Sequence, residues 1–551
     1  MKKIVSYISV ALLLAGCSLK ENLQGYVTKE NFYKTEEQCL SALRACYTPL
    51  HYIYNGQFMM ATEACTDLWF CSSSDDNAKL AISPSNPGCA ATVWSYAYKG
   101  VARANECVAC ISACPLDESV KSPMVAEARA MRALYYYVLT CFMGDVPFYT
   151  EAVSDIETME HIRRLPRTPA KTIRSELYRD LKENALPCFT PENGLKCRAN
   201  QVRNQHAGYA LSLMLMAKFA LWNGEWDDAL YALDLIEETY GEFNEANFPL
   251  ADVAWSVKET DESIYEIRHE WSETGVKFYG NVSSLMSPTC SGNGIYDGVY
   301  MDCLSRTGTQ TTPLKVTKHY ALFRSKDDVK EENVANAKGI YKAMPMYLTN
   351  ETYNSAGKRR YCSAIDRDAL ESGVTANGST LDRRIQWTIG MGNLETGETF
   401  VTLRKGGFFY GGPKFWCPDM TKNYDSNNYR IFRYADAVLM QAECHCMNGT
   451  PEAAVAYLDK VRARAGLEAY SFTDSEALMA EIRDERAREL GGEFQRKFDL
   501  VRWGLWFDLT SQYNEDKRVK SNIRKCHEYY PIPDTECALS QGALNNDSYM
   551  D

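Results

Sequence analysis

Apolar positions recur at helical spacing through the first half of the chain. Leu40, Leu43, Ala45 and Tyr47 mark a helix over Thr35 to Tyr54, with Thr35 as its N-cap ahead of Glu36 and Glu37. The same period runs from Trp94 to Cys114 and stops at Pro115. Met124 to Phe142 is densely apolar, which predicts a buried helix ended by Gly144 and Pro147. Ala170 to Asn184 is amphipathic, with Leu177 and Leu181 on one face. His206 to Trp222 is rich in Ala, Leu and Met, and Trp226 to Tyr240 follows as a further helix.

The end of the chain repeats this grammar. Arg433 to Met447 and Pro451 to Ala465 read as two helices joined at Asn448-Gly449. Asn223-Gly224 and Asn448-Gly449 both sit at a helix end, and each is followed at the same offset by a small residue, Ala229 or Ala454. A small residue there lets paired helices approach, as in the helix–turn–helix unit of tetratricopeptide repeats. The units do not recur at a fixed period, so the pattern predicts a helical-hairpin scaffold rather than a regular solenoid. The middle, about Trp271 to Tyr429, is rich in Gly, Asn, Thr, Ser and Tyr and lacks long helical periods. It reads as loops and short strands laid on that platform, and long irregular segments of this kind are commonly functional.

Composition narrows the class. The chain has 551 residues, 45% hydrophobic and 24% charged, which excludes a disordered, collagenous or multispanning membrane protein. A net charge of −12 argues against nucleic acid as the main partner, because phosphate binding needs clustered Lys and Arg. Met1-Lys2-Lys3, the apolar run from Ile4 to Ala15 and then Gly16-Cys17 form an export signal too short to span a bilayer. Leu14-Ala15-Gly16-Cys17 resembles a lipobox. Residues 1–16 are therefore expected to be removed, with Cys17 taking lipid and Ser18 to Gly25 serving as a tether.

The 20 cysteines are spread singly through apolar stretches, which favours small buried hydrophobes over a disulfide framework. Cys107, Cys110 and Cys114 share a helix face and read the same way. Cys444-His445-Cys446 cannot converge on one metal, because adjacent helical residues point apart. No cofactor or metal motif is present, and no phosphate-binding Gly loop or catalytic Ser or His frame. Glu485 and Glu489, among Arg483, Arg486 and Arg488, predict an ion-pair network. Arg132, inside an apolar run, requires a carboxylate or carbonyl partner.

The 35 Tyr, 20 Phe and 10 Trp exceed what a core needs. A flat ring beside Asp and Asn suits a sugar, whose C–H face stacks while its hydroxyls take hydrogen bonds. Asp67 and Trp69, followed by Asp75 and Asn77, have that chemistry. So do Trp271, Phe278, Tyr279, Tyr296 and Tyr300, and Phe408-Phe409-Tyr410 with Trp416.

Several of these stretches together resemble the SusD/RagB family of nutrient-capturing surface lipoproteins of Bacteroidetes. They are the lipobox, Asn31-Phe32-Tyr33-Lys34-Thr35-Glu36, the set Trp94, Tyr98 and Asn105, and Ala126 to Tyr137 followed by Gly144-Asp145-Val146-Pro147. Arg433-Tyr434-Ala435-Asp436, Val461 to Leu467, Glu485 to Leu490, Asp499 to Trp503 and Tyr530-Pro531-Ile532-Pro533 complete the set in family order. The resemblance implies a mostly α, tetratricopeptide-like scaffold with a loop-rich ligand-binding face and few short strands. It implies one domain over 17–551, with scaffold at about 26–270 and 430–551 and the insertion at about 271–429.

It further implies capture of an oligosaccharide, or in some members a peptide, without catalysis. The captured ligand passes to a TonB-dependent, SusC-like transporter in the outer membrane, to which the protein is itself anchored, facing outside. Two other readings remain: a lipid-anchored glycosidase, with two loop carboxylates some ~5–9 Å apart, and a protein-interaction adaptor with an exposed concave helical groove. The family's matching segments are scaffold, so ligand contacts rest on chemistry alone: Asp67, Trp69, Asp75, Asn77, Trp271, Tyr279, Tyr296 and Tyr300.

Overall fold

The structure is a computed structural model; it describes residues 32–71, 73–202, 207–255, 257–271, 277–286, 314–317, 319, 413–415 and 424–550. Eleven helices carry the argument. They are α1 (Glu36–Ile53), α2 (Gly56–Thr62), α3 (Ala90–Ser112), α4 (Glu118–Met143), α5 (Ala170–Asp180), α6 (Tyr209–Asn223), α7 (Trp226–Tyr240), α8 (Tyr434–Met447), α9 (Pro451–Arg464), α10 (Ser475–Leu490) and α11 (Arg496–Arg502). The strands are β1 (Trp69–Cys71), β2 (Ser263–Ile267), β3 (Glu270–Trp271), β4 (Lys277–Phe278), β5 (Leu314–Val316) and β6 (Tyr429–Arg433).

α1 starts where its cap chemistry says it must. The Thr35 hydroxyl accepts the Gln38 N–H while Gln38 Oε1 accepts the Thr35 N–H, a reciprocal capping box. α1 packs on α3 and α3 on α4. From Met124 onward α4 is almost wholly buried, and α6 is apolar on every side, so both run through the interior. Within this layer Arg132 finds the partners its burial demands, Asp180 Oδ2 at 2.6 Å and Asn105 Oδ1 at 3.0 Å.

α6–α7 and α8–α9 are the two hairpins expected from the Asn-Gly turns. Gly224 and Gly449 close them at φ +74° and +72°, a left-handed conformation that favours glycine. Ala229 and Ala454 are fully buried, as the close helix approach requires. The hairpins stack through α7 and α8, and Asn448 Nδ2 donates to Asp227 Oδ1 at 2.7 Å, joining one turn to the other. The fold is therefore mostly α-helical and tetratricopeptide-like. No helix among the described residues is long and apolar enough to cross a membrane.

The described strands form three antiparallel pairs: β1 with β5, β2 with β6 and β3 with β4. β6 leads straight into α8 at Arg433, which anchors a buried charge cluster. Its guanidinium reaches Glu262 Oε1 at 2.7 Å, Glu489 Oε1 at 2.6 Å and Glu493 Oε2 at 2.9 Å. Arg464 bonds Glu262 and Glu489, and Lys414 bonds Glu493 at 2.6 Å. Three cations thus face three carboxylates between β6, α9, α10 and the segment before β2. The other expected carboxylate, Glu485, pairs with Arg488 at 2.8 Å. Cys444 and Cys446 turn inward while His445 stacks on Tyr457, so the three side chains diverge as expected.

Candidate functional site

The last turn of α1 and the first of α2 form a corner from which two polar and aromatic areas extend. Asn55 makes the corner. Its Oδ1 accepts the N–H groups of Gln57 at 2.8 Å and Phe58 at 3.2 Å, the N-cap geometry that starts α2. On one side lies a cavity of about 450 Å³ lined by Tyr52, Asn55, Gln57, Asp75, Asp76, Asn77 and Lys79, and by Gly88, Cys89, Thr92 and Val93. Asn77 holds its wall in place. Its Nδ2 donates to Gln57 Oε1 and its Oδ1 accepts the Cys89 N–H, both at 2.8 Å.

Asp75 caps the local turn, taking the Ala78 N–H at 3.0 Å. Asp76 pairs with Lys79 at 2.7 Å and accepts from Asn86 Nδ2 at 3.1 Å. Those two hydrogen bonds, Lys79 first, hold the Asp76 carboxyl below the usual carboxylate range. Above the cavity Tyr52 and Tyr96 stack at 4.2 Å with their planes 7° apart, and Lys99 Nζ lies 5.1 Å from the Tyr96 ring centre. Tyr52 is 48% exposed, so this flat pair faces solvent.

On the other side of the corner lie β3 and β4. Asn281 Oδ1 accepts the Gly56 N–H at 2.8 Å, tying that segment to the start of α2. Phe278 is 57% exposed, with its ring 5.4 Å from that of His51. Tyr279 is also exposed and packs on Tyr424 at 4.0 Å. His269, beneath His51 at 5.2 Å, is buried, and burial lowers its pKa to about 3, so it stays neutral. The combined surface offers flat rings to stack on and amide, carboxylate and ammonium groups to hydrogen-bond. It suits an uncharged polyhydroxylated ligand.

Of the sequence-derived set, Asp75 and Asn77 line the cavity, the latter with its side chain buried, and Tyr279 stands exposed on the other side of the corner. The structure corrects two others. Trp69 is fully buried, edge-on to Phe415, because β1 pairs with β5 and turns the ring into the core. Asp67 is fully buried and bound by Arg496, with Nη2 at 2.6 Å from Oδ2 and Nε at 2.9 Å from Oδ1. Neither side chain meets a surface that a ligand can reach. Trp271 has its backbone on β3, but its side chain lies outside the described residues, as do Cys17, Tyr296, Tyr300, Phe408, Phe409, Tyr410 and Trp416.

Tyr52, Asn55, Gln57 and Tyr96 were missed by sequence reasoning. Tyr96 carried a signal, however. Trp94 and Tyr98 lie i, i+4 on the inward face of α3, so the ring between them must point away from it.

The described residues thus form a helical-hairpin scaffold that carries an exposed aromatic and polar face. Comparison with known proteins gives its kind. The SusD family profile matches residues 414–549, and a profile described as starch-binding, associating with outer membrane, matches 51–211. A SusD-like protein of Formosa agariphila is 23% identical over 100% of this chain and 98% of its own.

A SusD superfamily protein from Bacteroides vulgatus superposes with a TM-score of 0.66 at 18% identity, covering 93% of this chain and 98% of that one. Surface glycan-binding protein A from Bacteroides thetaiotaomicron, solved with laminarihexaose, superposes with a TM-score of 0.62 at 20% identity, covering 92% and 98%. The chain belongs to the SusD/RagB family. Residues 1–18 match a prokaryotic membrane lipoprotein lipid attachment site, and the protein is a lipid-anchored protein of the outer membrane.

Proposed function

We propose that this protein captures an oligosaccharide at the cell surface, through lipid on Cys17, and delivers it to a SusC-like, TonB-dependent transporter. The observation that carries the reading is the exposed Tyr52–Tyr96 stack over a polar cavity. Stacked rings beside Asn55, Gln57 and Lys79 suit sugar faces and hydroxyls together. The laminarihexaose held by the glycan-binding protein of B. thetaiotaomicron supports a glucan as the first class to test.

Asp75 beside the cavity and Phe278, Tyr279 and Tyr424 across the corner complete the proposed face, with the buried Asn77 holding the cavity wall. Each ring contributes about 0.5–1.5 kcal/mol beyond the area it covers, so a few contacts give micromolar to millimolar affinity, weak enough for handover.

A glycosidase would need two carboxylates set across the cavity, one of them with a raised pKa, and turnover of the glycan would reveal it. The test is calorimetric titration of the protein against soluble glycans, laminarin among them, with peptides as controls. Heat from one glycan class, weakened in Tyr52→Ala and without product formation, is the expected result. Binding confined to peptides, or turnover of the glycan, would overturn the proposal.

A further inference from the structure

The α1–α3 seam carries a feature that glycan capture does not use. The two helices run antiparallel, as the pairings of Arg103 with the Ala45 carbonyl and Tyr96 with Tyr52 show. Along that seam Cys46 Sγ lies 3.7 Å from Cys107 Sγ, both fully buried. Cys39 lies seven residues before Cys46, and Cys114 seven residues after Cys107. Seven residues are close to two helical turns, so the same register brings Cys39 to Cys114 one step further along. Both thiols are buried, and Cys114, just past the C-cap of α3, acts electrostatically on Cys39. One thiol pair thus bridges the antiparallel helices, and the register sets a second at the end of α3.

We infer that the α1–α3 seam is an oxidation site that forms two disulfides, Cys46–Cys107 and Cys39–Cys114. The lipid-attachment match makes this an exported chain, and cell-envelope proteins keep disulfides where cytosolic ones lose them. The oxidant is a disulfide, protein-borne or small. A thiolate of one pair attacks a donor sulfur and expels one donor thiolate, leaving a mixed disulfide. The opposite cysteine, as thiolate, attacks the protein-side sulfur and expels the second. One S–S bond forms per pair, the donor disulfide takes two electrons, and the two thiol protons end on the reduced donor.

Burial raises the Cys39 thiol to about 11, so the docked seam exchanges slowly and the bonds form before α1 settles on α3. Once made, they fasten the helix pair that presents Tyr52 and Tyr96.

The test unfolds the full chain in reductant and refolds it with oxidised glutathione or without it. Free thiols are then alkylated and digested peptides mapped by mass spectrometry. The expected result is linked peptides joining 46 to 107 and 39 to 114. The melting temperature should lie ~3 °C above that of the reduced form, since the first bond closes a loop of 61 residues. In Cys107→Ala the first link disappears and the second remains. Four alkylated thiols after oxidative refolding, or bonds to other partners such as Cys107 to Cys110, would overturn the inference, and the wild-type map decides even if the variant fails to fold.

Discussion

Replacing Arg433 with Met tests what holds the two halves of the scaffold together. In the native cluster Arg433 bonds three carboxylates, those of Glu262, Glu489 and Glu493, at 2.6–2.9 Å, and its Nη2 donates to the Glu489 carbonyl at 2.7 Å. Burial by itself pushes the Glu262 carboxyl up; Arg464 and Arg433 outweigh it and hold the group below its usual range. Glu493 behaves alike under Arg433 and Lys414.

Arg433→Met keeps much of the volume but leaves three buried carboxylates facing two cations, Arg464 and Lys414. Breaking a buried pair in this way costs ~3–5 kcal/mol. The sign of the pH dependence follows. In the wild type these lowered carboxyls contribute stability that is complete above the ordinary carboxylate range and is lost as pH falls through it. In Arg433→Met the uncompensated carboxylate has its pKa raised, so taking up a proton relieves it. The deficit therefore shrinks between about pH 7 and about pH 5, where the wild type is nearly flat in these groups. Urea denaturation at both pH values reads it as a midpoint shift with unchanged slope. A deficit below ~1 kcal/mol at neutral pH, or one that grows toward acid, would refute the argument.

Three further outcomes are expected. Gly100→Ala should destabilise by ~1–3 kcal/mol in thermal melts, although Ala normally gains ~1 kcal/mol over Gly inside a helix. Its Cβ would sit 2.2 Å from the buried Tyr135 ring, and a rise in melting temperature would show that the ring can move aside. Tyr52→Ala and Tyr279→Ala should each weaken glycan binding roughly 2–10-fold by calorimetry with melting unchanged, since both rings are exposed. Trp69→Ala should do the opposite, costing ~3–5 kcal/mol of stability, because its ring is core; a well-folded variant that has lost only glycan affinity would restore it to the site.

The helices were legible because their causes are local. The Thr35 cap, the Asn-Gly turns and the apolar periods of α4 and α6 placed their elements to within a few residues. The largest differences lay at starts that carry no strong cap: α3 begins at Ala90 rather than Trp94, and α4 at Glu118 rather than Met124. The buried partners of Arg132, Glu485 and Glu489 were foreseeable in kind, because an unpaired buried charge is too costly to persist. For Arg132 and Glu489 the identities were not: Asp180, Arg433 and Arg464 lie far away in sequence.

The candidate face shows the limit most clearly. Trp69 and Tyr52 are both aromatic residues near polar ones, and composition alone prefers the tryptophan beside Asp67. Pairing of β1 with β5, whose residues are about 245 apart in the chain, turns Trp69 inward. Packing of α1 on α3 turns Tyr52 out against Tyr96. The amino-acid sequence by itself determined the helical-hairpin scaffold, the export signal and the family. Which rings reach solvent, and which thiols face one another across α1 and α3, was decided by tertiary structure alone, since exposure and proximity belong to packed surfaces rather than to residue types.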